Sequence, residues 1–216
     1  MDFFTPYTIV LTLSFFISLT LYLKPRPTET FLKFFPPFLF LTLIIELIGF
    51  YLHSNNAWLY NLFSTFEFCF YLFMISLIIF SRLVKKIIMV TMILYAATAL
   101  TNIFFIQKPN VFHATTYSLG CLIVVIFCIY YFFELFRLPK SVNLMNNPAF
   151  WICSGLLFFY CCSFPLYGFI SVWIKIPLIV NNYRIIVAIL NIFLYCLFMI
   201  AFLCRIRTRK YTLSPS

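Results

Sequence analysis

Seven apolar runs dominate this sequence, at residues 7–23, 36–53, 57–80, 87–106, 112–136, 148–172 and 182–204. A helix needs about 20 predominantly apolar residues to cross the hydrocarbon core of a bilayer. Seven such helices use roughly 140 residues, which leaves only loops and a basic tail at 205–216 in a chain of 216. No soluble domain fits beside them. The balance of side chains agrees, with 64% hydrophobic and 9% charged residues, unlike a soluble globular domain. The first run reads as a spanning helix rather than a secretory signal, because it begins Met1-Asp2 and ends in Leu23-Lys24, without a basic start or a small-residue cleavage site. The expected fold is an all-α membrane protein, a single seven-transmembrane-helix bundle.

Punctuation between the runs is consistent with helices. Pro25 and Pro27 break the basic loop KPRPTETFLK. Pro36 and Pro37 fall in the first turn of helix two, and Asn147-Pro148 forms a cap and first-turn pair for helix six. Ser81 to Lys86 reads as a basic loop. Pro165 removes a backbone bond to Cys161 and predicts a bend beside Ser163. Trp58, Trp151 and Trp173 fall near helix ends, as an interfacial aromatic belt requires.

Net charge is +10, but the basic residues punctuate apolar runs and form no basic domain, so nucleic acid is not an expected partner. They report topology instead. Alternate loops collect Lys24, Arg26, Lys33, Arg82, Lys85, Lys86, Arg137, Lys140, Arg205, Arg207, Arg209 and Lys210 on one side, against Lys108, Lys175 and Arg184 on the other. The positive-inside rule then places the N-terminus outside and the C-terminus in the cytoplasm. The expected location is the bacterial inner (cytoplasmic) membrane, multi-pass, with lipid as the surrounding partner.

Two acids stand out against this background. Glu46 lies seven residues before His53, and Glu67 lies nine after Trp58, on either side of the turn at Ser54, Asn55 and Asn56. At about 1.5 Å per residue the two lie roughly 10 and 14 Å below that turn. Each costs about 3 kcal/mol or more inside a bilayer, so each needs a reason to be there. Helical spacing groups polar residues into single stripes: Thr42, Glu46, Gly49 and His53 on helix two, and Tyr60, Ser64, Glu67 and Tyr71 on helix three. Helix four gives Thr91, Tyr95, Thr98 and Asn102, and helix five a weaker set of His113, Thr116 and Gly120. Tyr160, Ser163 and Tyr167 line helix six, and Arg184, Ala188, Asn191 and Tyr195 line helix seven. Such lines face the bundle interior.

One reading makes these stripes hydrogen-bonding glue between helices. It suits Thr, Ser, Asn and Tyr better than two carboxylates, since an amide or hydroxyl bonds without an ionisation penalty. The other reading is a polar cavity in the outer half of the membrane. It is a ligand or proton site built from Glu46, Glu67, Tyr60, Ser64, Asn102, Tyr167 and Asn191, where two close acids resist double ionisation. Arg184 is either a counter-charge to them or an interfacial arginine snorkelling to water. Glu134, three residues before Arg137, reads as a surface ion pair.

No metal site or cofactor is expected. All eight cysteines lie inside apolar runs, with no CxxC pair and no histidine at zinc spacing. His53 and His113 lack a third ligand. HExxH and phosphate-cradling glycine loops are absent, and nothing marks a nucleophile, so an enzyme is not the favoured class.

The stretches NNAWLYNLFSTFEFCFY, NPAFWICSGLLFFY and NIFLYCLFMIAFLCRI resemble small uncharacterised seven-helix membrane proteins of Bacteroidota-type bacteria. More loosely, they are similar to the seven-helix sensory regions that precede some bacterial histidine kinases. The resemblance implies a sensor-like or accessory signalling role, with output through a cytoplasmic or membrane signalling partner, since the sequence ends after helix seven. Helix seven has no lysine for a retinal Schiff base. The alternatives are a proton-coupled small-solute transporter or channel using Glu46 and Glu67, and an intramembrane lipid-modifying enzyme.

Overall fold

The structure, a computed structural model, describes residues 6–22, 30–52, 56–106, 111–137, 144–169 and 177–212, the last including backbone alone at 177–181 and 205–212. His53, the turn residues Ser54 and Asn55, Trp173, and the loop cations Lys24, Arg26, Lys108, Lys140 and Lys175 lie outside the described residues. The described chain is helical, with no strand. Its main helices are α1 Pro6–Leu19, α2 Phe35–Leu52, α3 Ala57–Ile78, α4 Arg82–Thr101, α5 Ala114–Phe136, α6 Pro148–Gly168 and α7 Pro177–Thr212.

Among the described residues six helical segments are long and apolar enough to cross a membrane, the last over Asn182–Cys204; α1 is a shorter apolar helix. At 14 residues, α1 rises about 21 Å, less than the bilayer core of about 30 Å. The first run is therefore the least able to span by itself. Two further boundaries differ from the sequence expectation. The basic stretch from Arg82 to Lys86 is not a loop but the first turn of α4. Its N-cap is Ser81, whose side chain accepts from the Val84 N–H at 3.5 Å. The far end of α4 runs into a π turn, Asn102–Ile106.

Packing follows a ring. Helix α1 lies between α2 and α7, α7 packs on α6, α6 on α5, and α5 on α3. The ring closes where α2 meets α3, while α4 leans on the outside of α3. Large rings fill the middle. Phe38 of α2 stacks on Phe70 of α3 at 4.0 Å and 2°. Phe35 meets both Phe198 and Phe202 of α7 edge-on, and Phe68 contacts Tyr95, Tyr117 and Tyr160. Meanwhile Phe104, Phe105, Ile93 and Leu94 are exposed, as lipid-facing side chains of a bundle would be. Helix α6 continues through Pro165 to Gly168, and Phe169 N–H closes its end on the Pro165 carbonyl.

Candidate functional site: acids in a ring of tyrosines

The α2–α3 hairpin builds the first half of the site. Asn56 donates to the Gly49 carbonyl at 3.2 Å. Gly49 has no side chain, and the Tyr60 hydroxyl occupies the space a Cβ would take. That close approach lets Tyr60 donate to Glu46 at 3.4 Å. A stronger bond comes from α1, where the Tyr7 hydroxyl donates to the same carboxylate oxygen at 2.6 Å. Glu46 is half-buried and is held by a tyrosine from each neighbouring helix.

Glu67 occupies a deeper tier. Gly49 lies against Tyr60, and Phe38 lies against Phe70. By that register Glu46 is level with residues 62 and 63. Glu67 therefore sits about 6–7 Å further from the turn, a larger offset than the near-equal depth the run lengths suggest. The two carboxyls still act on one another. Tyr195 of α7, 5% exposed, interacts electrostatically with both acids and with Tyr7, and so links the tiers.

Glu67 lies among buried tyrosines, within electrostatic range of Tyr71 on α3, Tyr95 on α4, Tyr117 on α5, Tyr160 and Tyr167 on α6, and Tyr195 on α7. The hydroxyls of Tyr71 and Tyr160 bear on its carboxyl most directly. Both residues are fully buried, yet neither hydroxyl closes a hydrogen bond of standard length and angle. A buried hydroxyl left short of a bond is unfavourable by about 1–3 kcal/mol, and the acceptor on which both bear is the Glu67 carboxyl.

Beside this centre lies a polar cavity of about 10 Å³, lined by Asn61, Ser64 and Thr65 of α3, Ile103, and His113, Thr116 and Tyr117 at the start of α5. It has room for about one water. Its wall is fixed by Asn61, which donates to the Val111 carbonyl at 2.8 Å and accepts from the His113 N–H at 3.0 Å. Asn102 anchors the far side by donating to Thr116 Oγ1 at 2.6 Å.

The structure thus sorts the residues expected from sequence. Glu46 and Tyr60 bond directly, and Glu67 lies within their electrostatic reach. Ser64 lines the cavity, and Asn102 reaches it through Thr116. Tyr167 packs on Tyr117, ring centroids 4.4 Å apart. Asn191 instead turns back on its own helix, donating to the Val187 carbonyl at 2.9 Å. Arg184 is exposed near the start of α7, apart from the hydrogen bonds of Glu46. Tyr7 and Asn61 stand in none of the polar stripes; Tyr71, Tyr160 and Tyr195 stand in the stripes but not among the residues expected at the site. Glu134 is corrected: its carboxylate accepts from the Phe80 and Ser81 N–H groups at 2.8 and 3.0 Å, while Arg137 covers the Phe133 ring at 3.8 Å.

Among the described residues no group of three or more His, Cys, Asp or Glu side chains is placed to hold a metal ion. The eight cysteines are free thiols. Apolar spans around a polar, tyrosine-lined interior define a helical, multi-pass integral membrane protein. No protein-family model matches the chain, and neither a curated protein nor a solved structure matches it.

Proposed function

We propose that this membrane protein is a sensor-like or accessory signalling subunit whose input is taken at Glu67 and whose output is read by a cytoplasmic or membrane partner. The observation that carries this reading is the ring packing around Glu67: its neighbour Phe68 meets Tyr95 of α4, Tyr117 of α5 and Tyr160 of α6, and Tyr71, one turn on, meets Phe38 of α2 and Phe198 of α7. A change of charge or occupancy at Glu67 would act beside contacts of several helices, which is what a bistable receptor element needs. A carrier needs a passage for its solute. A sensor needs none, and flux is what separates it from the alternative of a proton-coupled transporter or channel.

The test pairs binding with flux. Purified protein in lipid nanodiscs is melted against a panel of small polar solutes, and the same panel is offered to proteoliposomes. A recognised solute at 100 times its Kd stabilises by about 2.7 kcal/mol. The expected result is a melting shift that Glu67→Gln abolishes, with no uptake. Uptake that depends on Glu67 overturns the sensor reading in favour of the carrier.

A further inference from the structure

The polar cavity and the hydroxyls of Tyr71 and Tyr160 are both neighbours of the Glu67 segment of α3. Ser64 and Glu67 sit three residues apart on the inward stripe of α3, so the cavity wall is one turn from the acid. Tyr117, which lines the cavity, is within electrostatic reach of Glu67. Tyr71 lies one turn further along α3, and its hydroxyl and that of Tyr160 bear on the carboxyl short of standard hydrogen-bond geometry. The cavity belongs to the end of the bundle where α3 and α5 begin.

We propose that Glu67 is a proton-exchange site, reached by water from that end through the cavity lined by Asn61, Ser64 and Thr116. The proposal deepens the sensor reading, on which it rests only in naming Glu67 as the input. The step balances simply. The carboxyl O–H bond breaks, the proton passes to a water in the cavity as hydronium, and the phenol O–H groups of Tyr71 and Tyr160 turn onto the carboxylate. In the reverse step the hydroxyls are released as the proton returns. Glu46 faces Glu67 from α2, Tyr95 from α4, and Tyr117 and Cys121 from α5. Tyr160 and Tyr167 face it from α6 and Tyr195 from α7. None of these side chains carries a positive charge, so a proton is the simplest cation to neutralise the acid. Glu46, already held by two tyrosines, is a separate acid on the outer tier.

Time-resolved infrared spectroscopy after a photo-released proton jump tests this on the intact protein in nanodiscs. The chain holds four glutamates, so the carboxyl band is assigned by its loss in Glu67→Gln. Should that variant not fold, Gln substitution of the other three together with Asp2→Asn assigns the band by exclusion. The band is expected to follow bulk pH. Ser64→Leu, which fills the cavity, should slow its response about tenfold or more, the effect of roughly 1.4 kcal/mol on a barrier. Ser64→Ala, which leaves the space open, should not. A Glu67 band indifferent to bulk pH, or one equally fast in Ser64→Leu, ends the proposal. If proton exchange fails while a solute still stabilises through Glu67, the sensor reading stands alone. If exchange succeeds but neither melting nor partner binding follows it, the reverse holds.

Discussion

Two glycines separate a positioning role from a packing role. At Gly49 an added Cβ would overlap the Tyr60 hydroxyl, the far end of a side chain that can swing away. At Gly120 it would lie 2.6 to 2.8 Å from the Phe68 ring, which is fully buried among Tyr95, Tyr117 and Tyr160. We therefore expect opposite phenotypes. Gly49→Ala should gain about 0.5–1 kcal/mol of helix propensity, melt close to wild type, and lose the Tyr60 contact with Glu46. Its Glu46 carboxyl band should match that of Tyr60→Phe. Gly120→Ala should lower stability by about 1–3 kcal/mol through overpacking. Equal melting temperatures for the two alanine variants would refute the distinction. The sequence made part of this visible, because an acid inside an apolar run has to be explained and the hairpin brings Tyr60 near Glu46. Tyr7 was illegible: it forms the shortest bond to Glu46 across 39 residues, and no periodicity within one helix encodes a contact between two.

At the scale of the element, α4 begins against its own electrostatics. Its first residues include Arg82, Lys85 and Lys86, with no acid in the first turn, where the helix dipole favours negative charge. Glu134 supplies that charge from the end of α5, accepting from the Phe80 and Ser81 N–H groups. The ion pair read from the three-residue spacing of Glu134 and Arg137 was the local option. The observed one depends on the α3–α4 turn standing beside the end of α5, which only the assembled bundle provides. Glu134→Ala should cost about 1–3 kcal/mol, nearer the lower figure because Phe80 is exposed. Glu134→Gln should recover part of it, since an amide oxygen still accepts. Denaturation in mild detergent, with amide exchange followed at Phe80 and Ser81, reads both effects. In a double-mutant cycle Arg137→Ala should couple to Glu134→Ala only weakly, and strong coupling would restore the ion pair.

For the whole molecule, the apolar runs disclosed the helices because length and hydropathy are local properties. Their order around the ring was not disclosed, because it depends on which aromatic rings interlock. The structure adds what the charge pattern needs. The α3–α4 turn meets the end of α5 through Glu134. The end of α7 meets Met145 through Cys204, and the start of α2 through Phe35 and Phe202. Lys33, Arg82, Lys85, Lys86 and Arg137 therefore share one end of the bundle with the Arg205–Lys210 segment that continues α7. The opposite end carries Glu46's tier and the polar cavity. The positive-inside rule then expects this end in the cytoplasm and the end that carries the cavity outside. Short α1 tests the argument most sharply, because it rises only about 21 Å. If it fails to cross, the N-terminus lies on the cytoplasmic side while the other six helices keep their orientation. Reporter fusions after residues 33 and 54 and at the C-terminus should read cytoplasmic, extracytoplasmic and cytoplasmic, and a reporter at the N-terminus should read extracytoplasmic. An extracytoplasmic C-terminus would invert the model and carry the cavity to the other side. A cytoplasmic N-terminus alone would leave the cavity where it is but break with the Tyr7–Glu46 bond, which puts the start of α1 beside Glu46's tier.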